Sequence, residues 1–293
     1  MSIDPKQIKE LRQRTGAGVM TVKKVLTEAN GDMDEACDIL RTKGKASAAK
    51  KAGRVAAEGV VALKSSSDNQ QAVMLEINSE TDFVARDDNF LNFVNIVAKK
   101  ALAEQVADIE TLFKTVLAES KTIEQVQQEL IAKIGENINV RRVAFMQTDG
   151  VIGAYLHGTR IGVLVALTGG DIALAKDIAM HIAASRPLII TPEQIDPEVL
   201  AKEQEIYRAQ ALESGKPENI IEKMVSGRIK KYLNEISLQG QPFVKNPDIS
   251  VGQLLKEKNA EVESFMRFEL GEGIEKKTEN FAEEVRTQVE AMK

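Results

Sequence analysis

The sequence has very little cysteine, histidine or aromatic side chain, and these scarcities narrow its chemistry. Its 293 residues include one cysteine, two histidines and no tryptophan. A single cysteine excludes an internal disulfide, and with so few histidines we expect no metal site. The strongest apolar run, residues 162–167, is only about a third of a membrane span. Because the first residues lack the basic-then-apolar order of a signal peptide, we expect a cytoplasmic protein.

The motifs of common enzyme and nucleotide-binding classes are also missing. Neither a G-x-x-x-x-G-K-[ST] phosphate loop nor a G-x-S-x-G nucleophile elbow occurs. Residues 16–18 (GAG) follow no predicted strand and lack the third glycine of a dinucleotide fingerprint, so they are interpreted as a turn between helices. Cys37 has no histidine nearby in sequence that could activate it. We therefore expect no enzyme activity, no cofactor and no small-molecule substrate.

Charge is nearly balanced except in one segment. The 39 basic and 44 acidic residues give a net charge of −5, which argues against nucleic-acid binding by the whole protein. Residues 41–54, however, carry six cations and no acid. This segment is interpreted as a solvated linker and helix end at a domain boundary, whose lysines favour the C-terminal end of the helix dipole. The alternative is an RNA-binding accessory protein that uses residues 41–54, although the segment has no aromatic side chain to stack on a base.

Capping residues predict three short helices at the start of the chain. Asp4 can cap the first helix, with Pro5 at its first position, and the glycines of residues 16–18 end it. A second helix is predicted at residues 19–29, and Asp32 can cap a third. These elements predict an independent helical bundle.

A change of period after residue 54 predicts an α+β body. Strand–strand–helix order occurs twice, at residues 59–63, 72–77 and 90–98, and again at 150–155, 161–167 and 172–184. The offset of 91 residues predicts two related units. Residues 137–145 and 262–270 are further strand candidates, and Val262 and Met266 are expected on one face of the latter. Two helices with a narrow apolar seam, at 197–214 and 218–236, predict a protruding antiparallel hairpin, and a charged helix ends the chain.

One loop allows two interpretations. Residues 79–88 place Phe83 among charged residues just before the first unit's helix. Phe83 could tuck under that helix as a hydrophobic staple with Asp82 as the cap, or it could project as an aromatic wedge. Each of the two histidines has a single expected environment. His157 is expected to be exposed at a hairpin turn, and His181 is expected to be packed within a helix.

Seven sequence blocks, in order along the chain, resemble the bacterial elongation factor Ts family. They are 11–18 (LRQRTGAG), 28–32 (EANGD), 48–53 (AAKKAG), 81–85 (TDFVA), 133–138 (KIGENI), 157–163 (HGTRIGV) and 271–276 (GEGIEK). This resemblance implies an α+β fold whose parts have the following bounds: a ubiquitin-associated-like helical bundle and basic linker at 1–55, a core N-subdomain at 56–150, a core C-subdomain at 151–189 and 239–273, a coiled-coil arm at 190–238, and a C-terminal helical module at 274–293.

The resemblance also implies a function and its residues. The protein is expected to bind elongation factor Tu with GDP, to disrupt its Mg²⁺ and phosphate site, and to stabilise the nucleotide-free form until GTP binds. A homodimer or a 2:2 complex with that partner is compatible with this role. The implied partner-binding residues are the wedge Thr81, Asp82, Phe83 and Val84, the bundle residues Leu11, Val19, Met20 and Lys23, and His157 with Gly158 in the core C-subdomain.

Overall fold

The computed structural model describes residues 3–117, 120–213 and 215–275. Within these residues the chain is a mixed α+β protein with ten α-helices and small antiparallel sheets, which confirms the predicted fold class. No helix in these ranges has the length and apolar composition of a membrane-spanning segment. The predicted C-terminal helical module, 274–293, lies outside the described residues from position 276 onward.

Three helices begin the chain: α1 (Pro5–Thr15), α2 (Val19–Glu28) and α3 (Met33–Lys51). Asp4 caps α1 by accepting a hydrogen bond from the Lys6 N–H at 2.8 Å, and Gly16 ends it with a φ of 67°. Both features were predicted and are confirmed. Side chains from all three helices share a small buried core, which consists of Leu11, Val22, Val25, Leu26, Ala29 and Ala36.

The first sheet and its helices follow: β1 (Glu58–Ser65), β2 (Gln71–Ser79), α4 (Asp88–Ala103), α5 (Ile109–Lys114), α6 (Ile123–Ile134) and β3 (Ile138–Gln147). The strand order is β1-β2-β3, and both pairs are antiparallel. Strand β3 enters the sheet beside the end of β2, where Ile138 pairs with Ser79. The chain that leaves β2 and the chain that enters β3 are therefore neighbours.

The remaining elements are β4 (Val151–His157), β5 (Ile161–Thr168), α7 (Ile172–Ser185), α8 (Pro197–Leu212), α9 (Glu218–Ile236), β6 (Pro242–Phe243), β7 (Asn246–Ser250), α10 (Val251–Glu257) and β8 (Glu261–Glu269). Strands β4, β5 and β8 form a second antiparallel sheet, and β6 and β7 form a short hairpin. Helices α8 and α9 contact each other through Tyr207 and Tyr232, whose rings meet edge to face at 6.4 Å.

The two larger sheets pack against each other and carry helices on their outer faces. Along β2, Val73 and Leu75 belong to the core under α4 and α6, whereas Met74 belongs to a core shared with the second sheet. Along β5, Val165 faces α7 and Leu164 faces the first sheet. Because both faces of β2 and β5 are covered, these strands are buried at nearly every position.

Helix α3 continues through the segment that was interpreted as a linker. It runs to Lys51, with Lys50 and Lys51 in its last turn, and packs along α6. The interpretation of this segment as a helix end is therefore confirmed, whereas residues 41–51 are not a linker. Ala48 joins the core of the first sheet, and a Cβ added at Gly44 would lie 3.8 Å from the Cβ of Ala132. These small residues give α3 a narrow face that fits against α6.

The structure also contradicts the expectation that Val262 and Met266 share one face of strand β8. Val262 packs with the α7 core, whereas Met266 packs in the core between the sheets. The pairing of β8 with β5 shifts register between Ala166 and Leu167. Such a shift moves the following residues to the opposite face, so Val262 and Met266 do not share one.

Candidate functional site

The loop between β2 and α4, residues 80–87, presents an aromatic side chain to solvent. Phe83 is 82% exposed, the highest value among the large hydrophobic side chains of the described residues. A short 3₁₀ turn, Val84–Arg86, follows it, and Asp87 caps α4. The interpretation of Phe83 as a staple under its own helix is therefore wrong, and so is Asp82 as the cap.

The residues after Phe83 attach the loop to the protein. Val84 is buried in the core of the first sheet. Asp87 accepts hydrogen bonds from the backbone N–H groups of Asn89 at 2.8 Å and Phe90 at 3.2 Å. Partial burial alone would raise the pKa of Asp87, but these hydrogen bonds and one from the Asn89 side chain hold it below its usual value. The carboxylate therefore stays ionised as a helix cap near neutral pH.

Two residues at the entry to the loop bond to the segment that precedes β3. Glu136 accepts hydrogen bonds from the Thr81 N–H at 3.0 Å and from the Thr81 hydroxyl at 2.8 Å. Glu80 accepts one from the Asn137 N–H at 2.5 Å. We did not single out Glu80, Glu136 or Asn137 from the sequence. The only signal was that Glu136 and Asn137 lie within the block 133–138.

Asp82 and Arg86 complete the surface of the loop. The Arg86 guanidinium lies 3.0 Å from the Asp82 carboxylate, and both side chains are exposed. An ion pair at this exposure contributes little to stability. The pair can therefore separate at small cost when another protein surface approaches.

The N-terminal bundle exposes three of its four predicted site residues. Met20 is 77% exposed, and Val19 and Lys23 are also at the surface of α2. Leu11 is 0% exposed and belongs to the bundle core, so its prediction as a partner contact is wrong. On α1 it is the one fully buried side chain, and it is needed to hold the three short helices together.

Lys133 connects the edge of the bundle to the edge of the loop. Its ammonium group donates to Asn89 Oδ1 at 2.6 Å, at the start of α4. A Cβ added at Gly16, in the turn before α2, would lie 3.2 Å from the Lys133 Nζ. The structure thus brings the turn before α2 close to the start of α4, which directly follows the Phe83 loop.

His157 lies on the second sheet, at the end of β4. It is exposed as predicted, and its Nδ1 lies 3.2 Å from the Tyr155 hydroxyl. Gly158 begins the turn with a φ of 60°, and nothing lies within 4 Å of a Cβ added there. The Thr159 carbonyl then accepts a hydrogen bond from the Val61 N–H at 2.8 Å, which fixes the turn against β1.

The basic segment uses several of its cations within the protein. Lys43 pairs with Glu28, Arg41 lies 3.3 Å from Asp38, and Arg54 lies 3.5 Å from Glu80.

Among the residues that the structure describes, no group of three or more His, Cys, Asp or Glu side chains could hold a metal ion.

Known proteins match this chain along nearly its whole length. A family described as Elongation factor TS matches residues 80–272. Elongation factor Ts of Legionella pneumophila (strain Paris) is 59% identical over 282 residues, which cover 96% of this chain and 97% of that protein. Elongation factor Ts of Methylococcus capsulatus is 56% identical over 292 residues, which cover 99% of this chain and all of that protein (100%). The chain belongs to the elongation factor Ts family.

The elongation factor Ts match includes the loop and the features that hold it. Its range, residues 80–272, begins at Glu80 and contains Phe83, Glu136 and His157. The bundle precedes this range, but the relatives extend over it: elongation factor Ts of Coxiella burnetii is 52% identical over 291 residues, 99% of this chain and 98% of that protein. The chain is thus similar to elongation factor Ts in all the regions that carry candidate site residues.

Proposed function

We propose that this protein is a guanine-nucleotide exchange factor that binds elongation factor Tu with GDP, promotes GDP release and stabilises the nucleotide-free form until GTP binds. The observation that carries this proposal is Phe83, an aromatic ring that is 82% exposed on a loop attached on both sides. Thr81, Asp82 and Val84 accompany it as the exchange wedge. Thr81 and Val84 hold the tip to the protein, while Asp82 is exposed beside the ring.

Exchange of this kind requires no bond chemistry. If the protein weakens GDP binding to its partner by some factor, GDP must weaken binding of the protein by the same factor. Complete burial of Phe83 in the partner would contribute roughly 1.5–3 kcal/mol. This free energy is enough to distort a Mg²⁺ and phosphate site, because Mg²⁺ requires nearly octahedral geometry at short distances. Further contacts supply the remainder.

The other exposed residues are proposed as those contacts. Val19, Met20 and Lys23 of the bundle would dock near the guanine side of the nucleotide domain, and their exposure supports this. His157 and Gly158 would contact a different domain of the partner from the second sheet. Leu11 is not proposed as a partner contact, because its side chain is buried.

The finer description of the fold is also part of the proposal. We propose a ubiquitin-associated-like bundle at 1–55, core subdomains at 56–150 and at 151–189 with 239–273, and a coiled-coil arm at 190–238. A cytoplasmic location and a homodimer or 2:2 complex with the partner stay predictions. RNA binding through residues 41–54 is not proposed as a second function, since no observation favours it and the segment is largely a helix packed on α6.

Stopped-flow release of fluorescent GDP from elongation factor Tu tests the proposal. Wild-type protein should accelerate release, and Phe83→Ala should reduce this acceleration by about tenfold or more. Its free energy of unfolding should be unchanged, because Phe83 is mostly exposed. Leu188→Ala is a matched control, since Leu188 is another exposed hydrophobic side chain at 72%. No acceleration by wild type, or equal rates for Phe83→Ala and wild type, would contradict the proposal.

A further inference from the structure

Thr81 is held at three of its polar groups. Its N–H and its hydroxyl both donate to the carboxylate of Glu136, and its carbonyl accepts a hydrogen bond from the Ser79 hydroxyl at 2.9 Å. Hydrogen bonds to a charged acceptor are the stronger kind. Thr81 therefore has a fixed orientation two residues before Phe83.

The pairing of β2 with β3 explains why Glu136 reaches Thr81. The ladder ends where Ser79 pairs with Ile138. If the same register continued, Glu80 would oppose Asn137 and Thr81 would oppose Glu136. At both positions a side-chain carboxylate, rather than a backbone carbonyl, accepts the facing N–H group. The two carboxylates thus extend the connection between the chains beyond the last ladder pair.

Gly135 places Glu136 at this point. It ends α6 with a φ of 92° in the left-handed region, which glycine adopts without a steric penalty. The chain turns there from the helix into the approach to β3. Glu136 consequently lies in the three-residue connection 135–137, which is held by α6 on one side and by β3 on the other.

We propose that Glu136 is a positioning residue for nucleotide exchange, which holds the Phe83 ring in the orientation that enters the partner. This inference rests on the exchange function proposed above. A ring that projects 82% into solvent from a mobile loop would have to be ordered on binding. Glu136 removes this cost on the upstream side of Phe83, as buried Val84 and the Asp87 cap do on the downstream side.

Fluorescence of the free protein tests the orientation without the partner. The chain contains no tryptophan, so Phe83→Trp introduces a single indole at the loop. In this background Glu136→Gln, which replaces one acceptor oxygen by an amide that can only donate, should enlarge the fast component of the time-resolved anisotropy decay. Glu124→Gln removes an exposed carboxylate from α6, the helix that precedes Glu136, and should leave the decay unchanged. An identical decay for Glu136→Gln and Glu124→Gln would overturn the proposal.

Two variants at Thr81 provide an independent approach should Glu136→Gln fold poorly. Thr81→Val keeps the branched shape but removes the hydroxyl donor, whereas Thr81→Ser keeps the donor. The proposal expects faster indole motion in Thr81→Val and a decay like that of the parent in Thr81→Ser. The same motion in both would overturn it.

A double-mutant comparison then connects orientation to exchange. Glu136→Gln should lower the kcat/KM of GDP release by about tenfold, the equivalent of about 1.4 kcal/mol. In a Phe83→Ala background the same substitution should cause no further loss, because Glu136 acts through the ring. Equal losses in both backgrounds would overturn the positioning role alone. Failure of Phe83→Ala to slow release would instead overturn the exchange mechanism itself.

Discussion

Two connectors in this protein join a strand to a helix, and they differ in length and in what they expose. Residues 80–87 join β2 to α4, whereas residues 169–171 join β5 to α7. Both connectors end in an aspartate that caps the next helix, Asp87 in the first and Asp171 in the second. The shorter connector shows that a turn and a cap are sufficient. The additional residues of the longer one, which expose Phe83, are therefore candidates for a role outside the fold.

The part of the protein built on strands β1, β2 and β3 is here called the first half, and the part built on β4, β5 and β8 the second half. The two halves also differ in how closely their helices approach the sheet. In the second half, Gly153 of β4 lies directly against α7, where a Cβ would be 2.2 Å from the Ala175 carbonyl oxygen. In the first half, α4 packs through larger side chains such as Phe90 and Phe93. In the second half the helix therefore packs by close backbone approach, and in the first half it packs through large side chains.

The largest expected effect concerns this close approach. Gly153→Ala should lower the free energy of unfolding by about 3 kcal/mol, because α7 must move away to accommodate the methyl group. Urea denaturation measures this change. As a control, Gly227→Ala lies on the exposed side of α9 with nothing within 4 Å of the added Cβ, and it should raise stability by about 0.5–1 kcal/mol. Equal stability of Gly153→Ala and wild type would show that the close approach is not required.

The two halves bury different ionisable groups. In the second half, the Val244 N–H donates to His181 Nδ1 at 3.2 Å, so Nε2 carries the hydrogen and donates to Gln241 Oε1 at 2.9 Å. Burial lowers the pKa of His181, and the Gln241 bond offsets only part of this effect. In the first half, burial alone would raise the pKa of Glu76. Hydrogen bonds from the Gly271 N–H, Asn78 and Arg141, together with the charge of Arg142, hold it below its usual value.

The lowered pKa values of His181 and Glu76 predict that acid lowers the free energy of unfolding in two steps, first through His181 and then through Glu76. In the unfolded chain this histidine takes up a proton below about pH 6.5, whereas in the folded protein His181 stays neutral until the pH reaches its lower pKa. Between these two pH values the free energy of unfolding falls by up to about 1.4 kcal/mol per pH unit. The contribution of Glu76 has the same sign but is lost only below about pH 4.3. Unfolding free energies measured between pH 7.5 and 5 should fall for wild type and for His157→Gln. They should be flat for His181→Gln, and a similar fall in that variant would contradict the assignment to His181.

Local sequence was sufficient to predict the elements whose determinants are close in the chain. The cap of α1 by Asp4 and its end at Gly16 depend on neighbours within one helical turn, and both are confirmed. The short apolar runs at residues 72–77 and 161–167, bounded by turn residues, likewise predicted strands β2 and β5. The exposure of Phe83 could not be derived in this way, since the same residues permit a staple as readily as a projection, and only the packing of Val84 beneath the loop decides.

The features that the sequence did not reveal depend on distant parts of the chain. Glu136 meets Thr81 only because β3 returns along β2 after three helices, and no local pattern fixes that register. Leu11 lies in a block shared with the family, which suggested a contact, but such a block can equally mark a core position. Helix α3 runs through the basic stretch because α6 offers a surface for its small residues, and α6 is remote in sequence.

The smallest expected effect returns to the two aspartates that end the connectors. Asp87→Ala and Asp171→Ala should each lower the free energy of unfolding by about 1 kcal/mol, because each removes a helix cap. Only Asp87→Ala should also slow GDP release from elongation factor Tu, since Asp87 anchors the loop downstream of Phe83. If both variants slowed release equally, the loss would reflect stability and not the loop. If Asp87→Ala left release unchanged, the Asp87 cap would have no part in presenting the ring, and Glu136 and Val84 would have to do so without it.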